Sequence, residues 1–488
     1  MASVASYTVR RTTRPLGRVY RAVCTTHALT ALRPPALASL RFASTASTIK
    51  RVKEDRLMSE LHHTCQWGPG QRWGDHDTDT GMSRLSLSDT DKQVRDWFAS
   101  TTEALGCTLT TDEMGNQFAV RAGKKSGAPT YVGSHLDTQP TGGRYDGILG
   151  VHAGIEMLQT LRENNIETNY PVGVVNWTNE EGARFPISMV ASGVWAGEIP
   201  LDTAHSLKSV IPRSDSATMK TDLERIGYLG SVPCSHKETP MAAHFELHIE
   251  QGPILEKEER KVGIVTGVQA YRWFTITITG HDCHTGSTDL GSRADALLAA
   301  SKMIVASREA AYEEGGLAST GIIEARPGST NTVPGLVTFS LDIRGKDDAI
   351  VEKLESRLRE EFAYIASGKD ASVGYKTQKS PRDKVAVKWR KDSDSPAVLF
   401  SDECITCVTE ACEELFGNDV DKQTRQMVSG AGHDSVYTSK RVPTSMVFVP
   451  SKDGISHNPV EYTKPEDCTI GAQVLMGAVL KFDGKRTE

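Results

Sequence analysis

The sequence predicts an α/β fold into which a smaller α+β block is inserted, and three observations support this prediction. From about residue 95, short apolar strands alternate with amphipathic helices, the order typical of an α/β sheet. Near Gly267 the pattern changes to longer strands in which apolar and polar residues alternate. Beyond the polar stretch Ser380–Asp394, which we interpret as a linker, the first pattern resumes. A chain of 488 residues is long enough for two such domains.

The elements of the first domain are short strands that end in polar residues. Thr130–Ser134 is predicted to be a strand, and Ile148–Leu161 a helix because its apolar residues recur at helical spacing. Val172–Trp177 is predicted to be a further strand, and Ser401–Phe416 a helix of the same domain. In open α/β sheets ligands bind beyond the carboxyl ends of strands, so we expect the functional residues there.

The inserted block is predicted to contain two half-exposed strands and two helices. Apolar residues alternate with threonines over Phe274–Ile278. Over Val337–Ile343 they alternate with several kinds of polar residue. Helices are expected over about Ala294–Glu314 and Asp348–Ala366. The first domain is therefore discontinuous, and the insert separates its two parts. The predicted segments are residues 50–266, residues 267–388 (the insert) and residues 389–488.

The first 49 residues have the composition of a mitochondrial transit peptide. They contain seven arginines and many Ser, Thr and Ala residues, and the first acidic residue is Glu54. Arg41–Ser44 fits a processing region. A disordered basic tail on a cytoplasmic protein is the alternative. We expect a mitochondrial location and leave residues 1–49 out of the fold.

Composition argues against several other classes of protein. The formal net charge is −6 and the basic residues form no stripe, so neither nucleic acid nor an anionic membrane is an expected partner. No apolar run is long enough to span a bilayer. The nine scattered cysteines indicate free thiols. Cys404 and Cys407 lie within a helical pattern, so we expect core or surface thiols there rather than zinc or redox chemistry.

The first cluster of candidate site residues follows the strand Thr130–Ser134. His135 and Asp137 end this strand, and the glycine-flanked Asp146 comes shortly after. Asp137 lies on the same side of an extended chain as His135, so it could orient a metal-binding imidazole from behind. Taken alone, a His-x-Asp pair is more often a hydrogen-bonded surface pair.

The second cluster is the adjacent pair Glu180 and Glu181, which follows the strand Val172–Trp177. Two buried carboxylates repel each other unless a cation or a proton compensates their charge. One of the pair could bind a metal while the other moves protons. A solvated acidic turn is the alternative, but the apolar strand before the pair places it near the core.

Two further histidines complete the set. His248 shares the polar face of a predicted strand with Glu246 and Glu250. His457 lies in a loop near the C-terminus. Imidazole and carboxylate ligands without thiolates suit zinc, manganese or cobalt. With a bridging carboxylate, such a set could hold two ions roughly 3.5–4 Å apart. Each histidine taken singly would more often be structural.

From about Asp89 to the C-terminus, the chain resembles fungal β-ureidopropionase (β-alanine synthase). It also resembles the related N-carbamoyl-L-amino-acid hydrolases and allantoate amidohydrolases of the di-zinc aminoacylase/carboxypeptidase-like clan. The matching runs are Gly133–Thr138, Arg144–Gly150, Asn179–Phe185, His244–Glu256, Gly263–Ala270, Ser429–Ser435 and Pro450–Asn458. The resemblance implies a di-zinc exopeptidase-like catalytic domain with an inserted α+β lid through which two subunits dimerise.

The resemblance also implies an activity, which is the metal-dependent hydrolysis of the ureido C–N bond of an N-carbamoyl amino acid. The substrate would be N-carbamoyl-β-alanine, as in pyrimidine catabolism, or an N-carbamoyl-L-amino acid. The products would be the amino acid, ammonia and carbon dioxide. Alternatives are a dipeptidase or N-acyl-amino-acid deacylase with the same two ions, and a catalytically silent metal-binding homologue.

Residue roles carried over from the resemblance begin with the metal ligands. His135 and His248 would bind different ions, Asp146 would bridge the ions, and Glu181 and His457 would complete the two coordination spheres. The remaining roles belong to residues that act on water or substrate. They are Glu180 as general base, Gln251 as a substrate contact, and His284, Asn331 and Arg344 as substrate contacts from the lid.

Within the lid contacts, His284 would stabilise the oxyanion and Arg344 would clamp the substrate carboxylate. An ion pair with Asp342 or Asp347 is the alternative for Arg344. The family's lid run His-Ala-Gly-Thr-Thr-Pro corresponds here to His284–Asp289, with Thr285 and Asp289 as departures. This loop would border the amino-acid part of the substrate, so the resemblance does not fix the exact substrate. For His433 and Asp434 we favour a role in bracing the site, and direct contact with substrate is the alternative.

Overall fold

The structure is a computed structural model that describes residues 50–212, 216–368 and 384–487. The predicted transit peptide, residues 1–49, lies outside the described residues. Among the residues described, no helix combines the length and the apolar character needed to cross a membrane.

A nine-stranded mixed sheet, the large sheet, carries most of the core. Its four central strands are parallel to one another and completely buried, because helices or loops cover both faces. Eight strands follow one another across the sheet, and the ninth, Thr424–Ser429, pairs with Val262–Val268. In order they are Val398–Leu399, Val262–Val268, Thr444–Val449, Ala243–Ile249, Thr130–His135, Val172–Trp177, Gln117–Arg121 and Thr108–Thr111.

Three long helices cover one face of the large sheet, namely Ile148–Glu163, Asp402–Phe416 and Pro465–Lys485. The two predicted helices, Ile148–Leu161 and Ser401–Phe416, and the two predicted strands, Thr130–Ser134 and Val172–Trp177, are confirmed to within two residues at each end. On the other face, the Trp177 and Trp195 rings pack edge to face within a second apolar cluster. The other helices around this sheet are Glu54–Thr64, Asp89–Ala104, Val190–Trp195, Leu201–His205, Met219–Ile226, Ile254–Lys257, Val420–Gln423 and Ser435–Thr438.

A second, five-stranded sheet, the small sheet, is entirely antiparallel. Its strands are Leu317–Ser319, Ile323–Arg326, Leu336–Gly345, Ala270–Thr279 and Ala386–Ser395. Two helices, Ala296–Glu314 and Asp348–Ala366, pack on one face over a separate apolar core. Both helices begin at an aspartate whose carboxylate accepts a backbone N–H, as N-cap residues do. The expected α+β character of this region agrees with the structure.

The region expected to be a polar linker contains an edge strand instead. Ala386–Ser395 pairs along Ala270–Thr279, so the predicted boundary after residue 388 falls inside a strand of the small sheet. This edge strand is half exposed, and most of its residues are polar. The sequence therefore does not show the alternation of apolar and polar residues that predicts a strand. Its Trp389 ring packs against Phe274 and Phe362, with centroid distances of 5.2 and 5.1 Å. The small sheet therefore extends to Ser395.

Short elements complete the described chain. They are the strands Pro69–Arg72, Thr80–Met82, Cys283–His284 and Thr332–Val333, and the 3-10 turns Leu290–Ser292, Gly417–Asp419 and Lys452–Gly454.

Candidate metal centre

The candidate ligands gather at one edge of the large sheet because its four central strands are parallel. His135 ends Thr130–His135, and His248 is the penultimate residue of Ala243–Ile249. Glu180 and Glu181 follow Val172–Trp177, and His457 lies in the loop after Thr444–Val449. Parallel strands present their carboxyl ends at the same edge, which is where α/β sheets place their ligands.

Asp146 lies at the centre of this cluster and faces a different group with each carboxylate oxygen. Its Oδ1 is 3.0 Å from Nε2 of His248 and 3.7 Å from Nε2 of His135. Its Oδ2 is 3.4 Å from Nε2 of His457, which is itself 3.5 Å from Oε2 of Glu181. Two groups of three potential ligands therefore share this one carboxylate.

The grouping corrects one expectation from the sequence. His135 and His248 were expected on different ions, but their ligand atoms lie in the same group with Asp146. Both imidazoles approach the Oδ1 side of Asp146, whereas His457 approaches the Oδ2 side. The second group is therefore Asp146, Glu181 and His457.

The imidazoles of the first group are oriented by backbone carbonyls. Nδ1 of His135 lies 2.8 Å from the Asp137 carbonyl, and Nδ1 of His248 lies 2.9 Å from the Ile249 carbonyl. With Nδ1 as the donor, each Nε2 is left as the free lone pair that a cation needs. Nε2 of His135 is fully buried and has no hydrogen-bond partner among the described residues. This buried, unpartnered lone pair fits a metal ion.

Asp137 serves the site differently from the sequence expectation. Its backbone carbonyl, not its carboxylate, orients His135. The two carboxylate oxygens accept the backbone N–H groups of Glu180 and Glu181, each at 3.3 Å. Asp137 therefore fixes the turn that carries the acidic pair.

The site concentrates buried negative charge. Burial, and then the nearby carboxylate of Asp434, raise the pKa of Glu180 well above its usual range. Burial and the charge of Asp146 raise the pKa of Glu181 to about 8. Burial opposes protonation of His248, but its contact with Asp146 raises the imidazole pKa to about 9. The raised pKa values mean that bound protons reduce the negative charge of this cluster. Divalent cations bound at the same place would neutralise that charge instead.

Gly147 is required beside the first histidine. Its φ is +68°, and a Cβ at this position would lie 2.3 Å from the His135 ring. Both the backbone conformation and the space exclude a side chain. The glycine that follows Asp146 therefore lets the carboxylate and the imidazole approach each other.

Contacts around Asp146 include residues that the sequence did not reveal. Ser456 donates from Oγ to Oδ2 of Asp146 at 2.9 Å, and the buried Glu461 accepts the backbone N–H of Asp146 at 3.1 Å. Gln251 donates from Nε2 to the same Oδ2 at 2.7 Å. Glu461 lies 315 positions from Asp146 and belongs to no motif that the sequence indicated. Only the nearby Ser456 and His457 indicated that this loop contributes to the site.

His433 and Asp434 lie buried under the first group. The His433 ring packs edge to face on His248 at a centroid distance of 4.4 Å, and Asp434 accepts the hydroxyl of Ser192 at 2.5 Å. Glu246, which could form a third group with these histidines, already accepts the hydroxyls of two serines. Asp434 is enclosed by such contacts, whereas His433 also lines the cavity beside the ligand cluster.

A cavity of about 240 Å³ opens beside the cluster. Gln251 and Arg344, two of the expected substrate contacts, line it. Neither His284 nor Asn331 is among the described residues that line this cavity. These two residues are neighbours in the inserted region that contains the small sheet (residues 270–368 and 384–395, the small domain), where the Asn331 carbonyl accepts the N–H of Thr285. Nδ1 of the exposed His284 accepts two backbone N–H groups from the turn that follows it.

Arg344 joins the two sheets at this cavity. Its Nε and Nη2 donate to the carboxylate of Asp342, and its Nη1 donates to the Gly430 carbonyl at 2.8 Å. The expected alternative, an ion pair with Asp342, is therefore present. A guanidinium has five N–H donors, so one on each Nη remains for a ligand.

Comparisons with known proteins agree with this geometry. The family model described as peptidase family M20/M25/M40 matches residues 131–481. An N-carbamoyl-L-amino-acid amidohydrolase of Rhizobium meliloti is 37% identical over 88% of this chain and 97% of that protein. A similarly named enzyme of Geobacillus stearothermophilus is 34% identical over 82% and 93%. A crystal structure of a hydantoinase/carbamoylase-family amidase from Burkholderia multivorans is 40% identical, with a TM-score of 0.79, over 90% of this chain and all of that one.

Proposed function

The chain belongs to peptidase family M20/M25/M40, and from this premise we propose that it hydrolyses the ureido C–N bond of an N-carbamoyl amino acid. The products are the amino acid, ammonia and carbon dioxide. The observation that carries the proposal is Asp146, whose two oxygens face two separate groups of metal ligands. Relatives that span most of this chain are named for this reaction.

The proposed cofactor is a pair of divalent cations, zinc in the first instance and manganese or cobalt as alternatives. His135, Asp146 and His248 would hold one ion, and Asp146, Glu181 and His457 the other. When bound, such ions supply a polarised carbonyl and a water whose proton is lost near neutral pH.

Glu180 is the proposed general base. Its Oε2 lies 3.5 Å from Nε2 of His135, so it reaches the ligand cluster without belonging to either group. Asp137 holds its backbone, and the cavity gives it access to substrate. Glu180 accepts the proton of the attacking water and returns it to the departing nitrogen, and the carbamate that is released decomposes to ammonia and carbon dioxide.

Substrate orientation is proposed to depend on Arg344 and Gln251. The two remaining N–H donors of Arg344 face the substrate carboxylate, and a charge-assisted hydrogen bond of this kind holds it firmly. Gln251 supplies an amide beside Asp146. His284 and Asn331 lie outside the cavity lining, so the resemblance alone supports their proposed substrate contacts.

Among the substrates that the sequence left open, we favour an N-carbamoyl-L-α-amino acid over N-carbamoyl-β-alanine. Two relatives that cover most of the chain are named N-carbamoyl-L-amino-acid amidohydrolases. A role as β-ureidopropionase in pyrimidine catabolism is then the second candidate, supported by the sequence resemblance. Ammonia release from N-carbamoyl-β-alanine, N-carbamoyl-L-α-amino acids and allantoate separates these, and hydrolysis of a dipeptide, which yields no ammonia, is followed by its free amino acids. Hydrolysis of the dipeptide alone would favour the peptidase alternative.

A homodimer through the small domain is also proposed. The helix Ala296–Glu314 exposes apolar side chains, including Tyr312, whose side chain is 87% exposed, and Val305. The neighbouring edge strand Leu317–Ser319 pairs on only one side among the described strands. A second copy of this chain could cover both. Analytical ultracentrifugation should give a dimer for the wild type and a monomer for Tyr312→Lys, and a wild-type monomer would refute this.

Mitochondrial import is proposed from the composition of residues 1–49 alone. A fluorescent protein fused to residues 1–49 should enter mitochondria. The same fusion with the seven arginines changed to glutamine should not.

A further inference from the structure

We propose that Tyr271 and Trp273 form an aromatic shelf that binds the side chain of the substrate. The preferred substrates are then N-carbamoyl α-amino acids that carry an aromatic or large apolar side chain. This inference rests on the proposed function and names its substrate class.

The shelf is a consequence of strand geometry. Tyr271 and Trp273 are two residues apart on Ala270–Thr279, so both side chains point to the same face of the small sheet. The residues on either side of Tyr271, Ala270 and Arg272, point to the opposite face, where Arg272 pairs with Glu355 of a covering helix. The two rings are 5.2 Å apart between centroids. They present one apolar surface away from the core of their own sheet.

This surface belongs to the same cavity as the metal ligands. Tyr271 and Trp273 line it together with Asp146, His248 and His457. The Trp273 side chain is 43% exposed, although aromatic residues on a sheet face are usually covered. An exposed indole on the wall of a polar cavity offers apolar area to a ligand that enters it.

Arg344 fixes where the shelf meets the substrate. In the antiparallel register, Arg344 is directly opposite Tyr271, and Asp342 is opposite Trp273. The guanidinium lies 5.5 Å from the centre of the Tyr271 ring. A carboxylate held by Arg344 therefore sits beside the shelf, while the carbamoyl group reaches toward the metal ligands.

The chemistry of an α-amino acid then places its side chain. Carboxylate, nitrogen and side chain are all bonded to the same α carbon, so a substrate anchored at both ends must project its side chain next to Arg344. The aromatic surface available there is Tyr271 and Trp273. A glycine or β-alanine derivative has no group to cover these rings. Stacking and burial of an aromatic side chain should therefore raise its kcat/KM about tenfold or more over that of N-carbamoylglycine.

The test is the ratio of kcat/KM for N-carbamoyl-L-phenylalanine to that for N-carbamoylglycine. It is measured by ammonia release from the zinc-loaded full chain. Trp273→Ala should lower this ratio about tenfold, and Trp273→Phe should hold it within about threefold. Trp73→Ala is the matched control, because Trp73 is equally exposed at 44% and lies outside the cavity lining. The control should leave the ratio unchanged.

Two outcomes would overturn the inference. The first is a wild-type ratio near one, which would mean that the shelf does not favour an aromatic side chain. The second is a Trp273→Ala variant in which kcat/KM falls equally for both compounds, which would mean that Trp273 supports Arg344 and does not bind the side chain. Absence of ammonia from every ureido substrate would instead refute the proposed function. The shelf is then judged by calorimetric binding of the same two compounds to wild type and Trp273→Ala. Equal affinities for both compounds in the wild type would refute it as well.

Discussion

Nε2 of His135 lies 3.7 Å from Oδ1 of Asp146 and has no hydrogen-bond partner among the described residues. The separation is too long for a hydrogen bond, and burial makes an unpartnered lone pair costly. A cation held by His135 and Asp146 would remove that cost. The same carboxylate meets His457 through its other oxygen, so one residue organises both halves of the centre.

The bound metal should follow this division of ligands. Wild-type protein should retain two zinc ions per chain after gel filtration. His457→Ala should retain one, because the group of His135, Asp146 and His248 stays intact. Asp146→Ala should lose both, because both groups share that carboxylate. Inductively coupled plasma mass spectrometry gives the count, and two ions in His457→Ala would contradict the assignment of ligands.

Replacing the proposed base should separate binding from turnover. Glu180→Gln keeps the size of the side chain and removes the proton acceptor, so kcat should fall about 10²- to 10⁴-fold. Metal content should stay the same, since Glu180 belongs to neither ligand group. The Kd for an N-carbamoyl amino acid, measured by calorimetry, should also be preserved. Near-normal turnover would assign the base to another residue.

Gly147→Ala should destabilise the protein and displace His135. The positive φ costs about 1–3 kcal/mol, and the overlap with the imidazole adds to it. Gly106→Ala is the matched control, because Gly106 has φ +86° with no atom within 4 Å of the added Cβ. Urea unfolding of the zinc-free proteins should show a larger loss for Gly147→Ala. Equal losses would mean that the helix start shifts to accommodate the methyl group.

Acid should destabilise the protein through His152, which lies away from the metal ligands. Burial, and to a smaller extent the charge of Arg84, lower the pKa of His152 to about 4. The imidazole is held between the Ile148 carbonyl and the Thr64 hydroxyl and stacks on Trp97. In the unfolded chain its pKa returns to about 6.5. The unfolded state therefore binds more protons between these values, and stability falls as the pH drops from 6.5 toward 4.

The expected loss from this residue is about 2 kcal/mol between pH 7.5 and pH 5. His152→Gln should show a correspondingly smaller difference between the urea unfolding free energies at the two pH values. His244, whose burial lowers its pKa to about 3, contributes equally to both proteins. An unchanged pH dependence in His152→Gln would show that this imidazole accepts a proton without unfolding.

Much of the site could be predicted because most of its residues lie at or just after the carboxyl ends of strands. Apolar runs such as Val172–Trp177 locate the parallel strands, and the polar residues after them meet at one edge. The grouping of His135 with His248 could not be predicted, because it depends on which oxygen of Asp146 each imidazole approaches. Nor could the bracing by Glu461, which depends on a loop contact between distant parts of the chain.

The small domain was predictable in its helices and less so at its edges. Asp348–Ala366 has the apolar spacing and the N-cap that mark a helix, and the structure has the same bounds. The strand Ala386–Ser395 pairs with Ala270–Thr279 at the edge of the sheet, and many of its side chains are exposed. Because these exposed residues are polar, the segment has the composition of a linker. The positions of His284 and Asn331 outside the cavity depend on how the two sheets pack, which the sequence pattern does not contain.

The central claim is that this chain hydrolyses a ureido bond with cations that Asp146 and its neighbouring ligands would hold. Its most direct test is ammonia release by the zinc-loaded wild type from an N-carbamoyl-L-α-amino acid, beside chelator-treated protein and Asp146→Ala. The account predicts equal amounts of ammonia and free amino acid from the loaded wild type, and neither product from the two controls. Ammonia from Asp146→Ala at the wild-type rate, or none from a wild type that holds both ions, would contradict it.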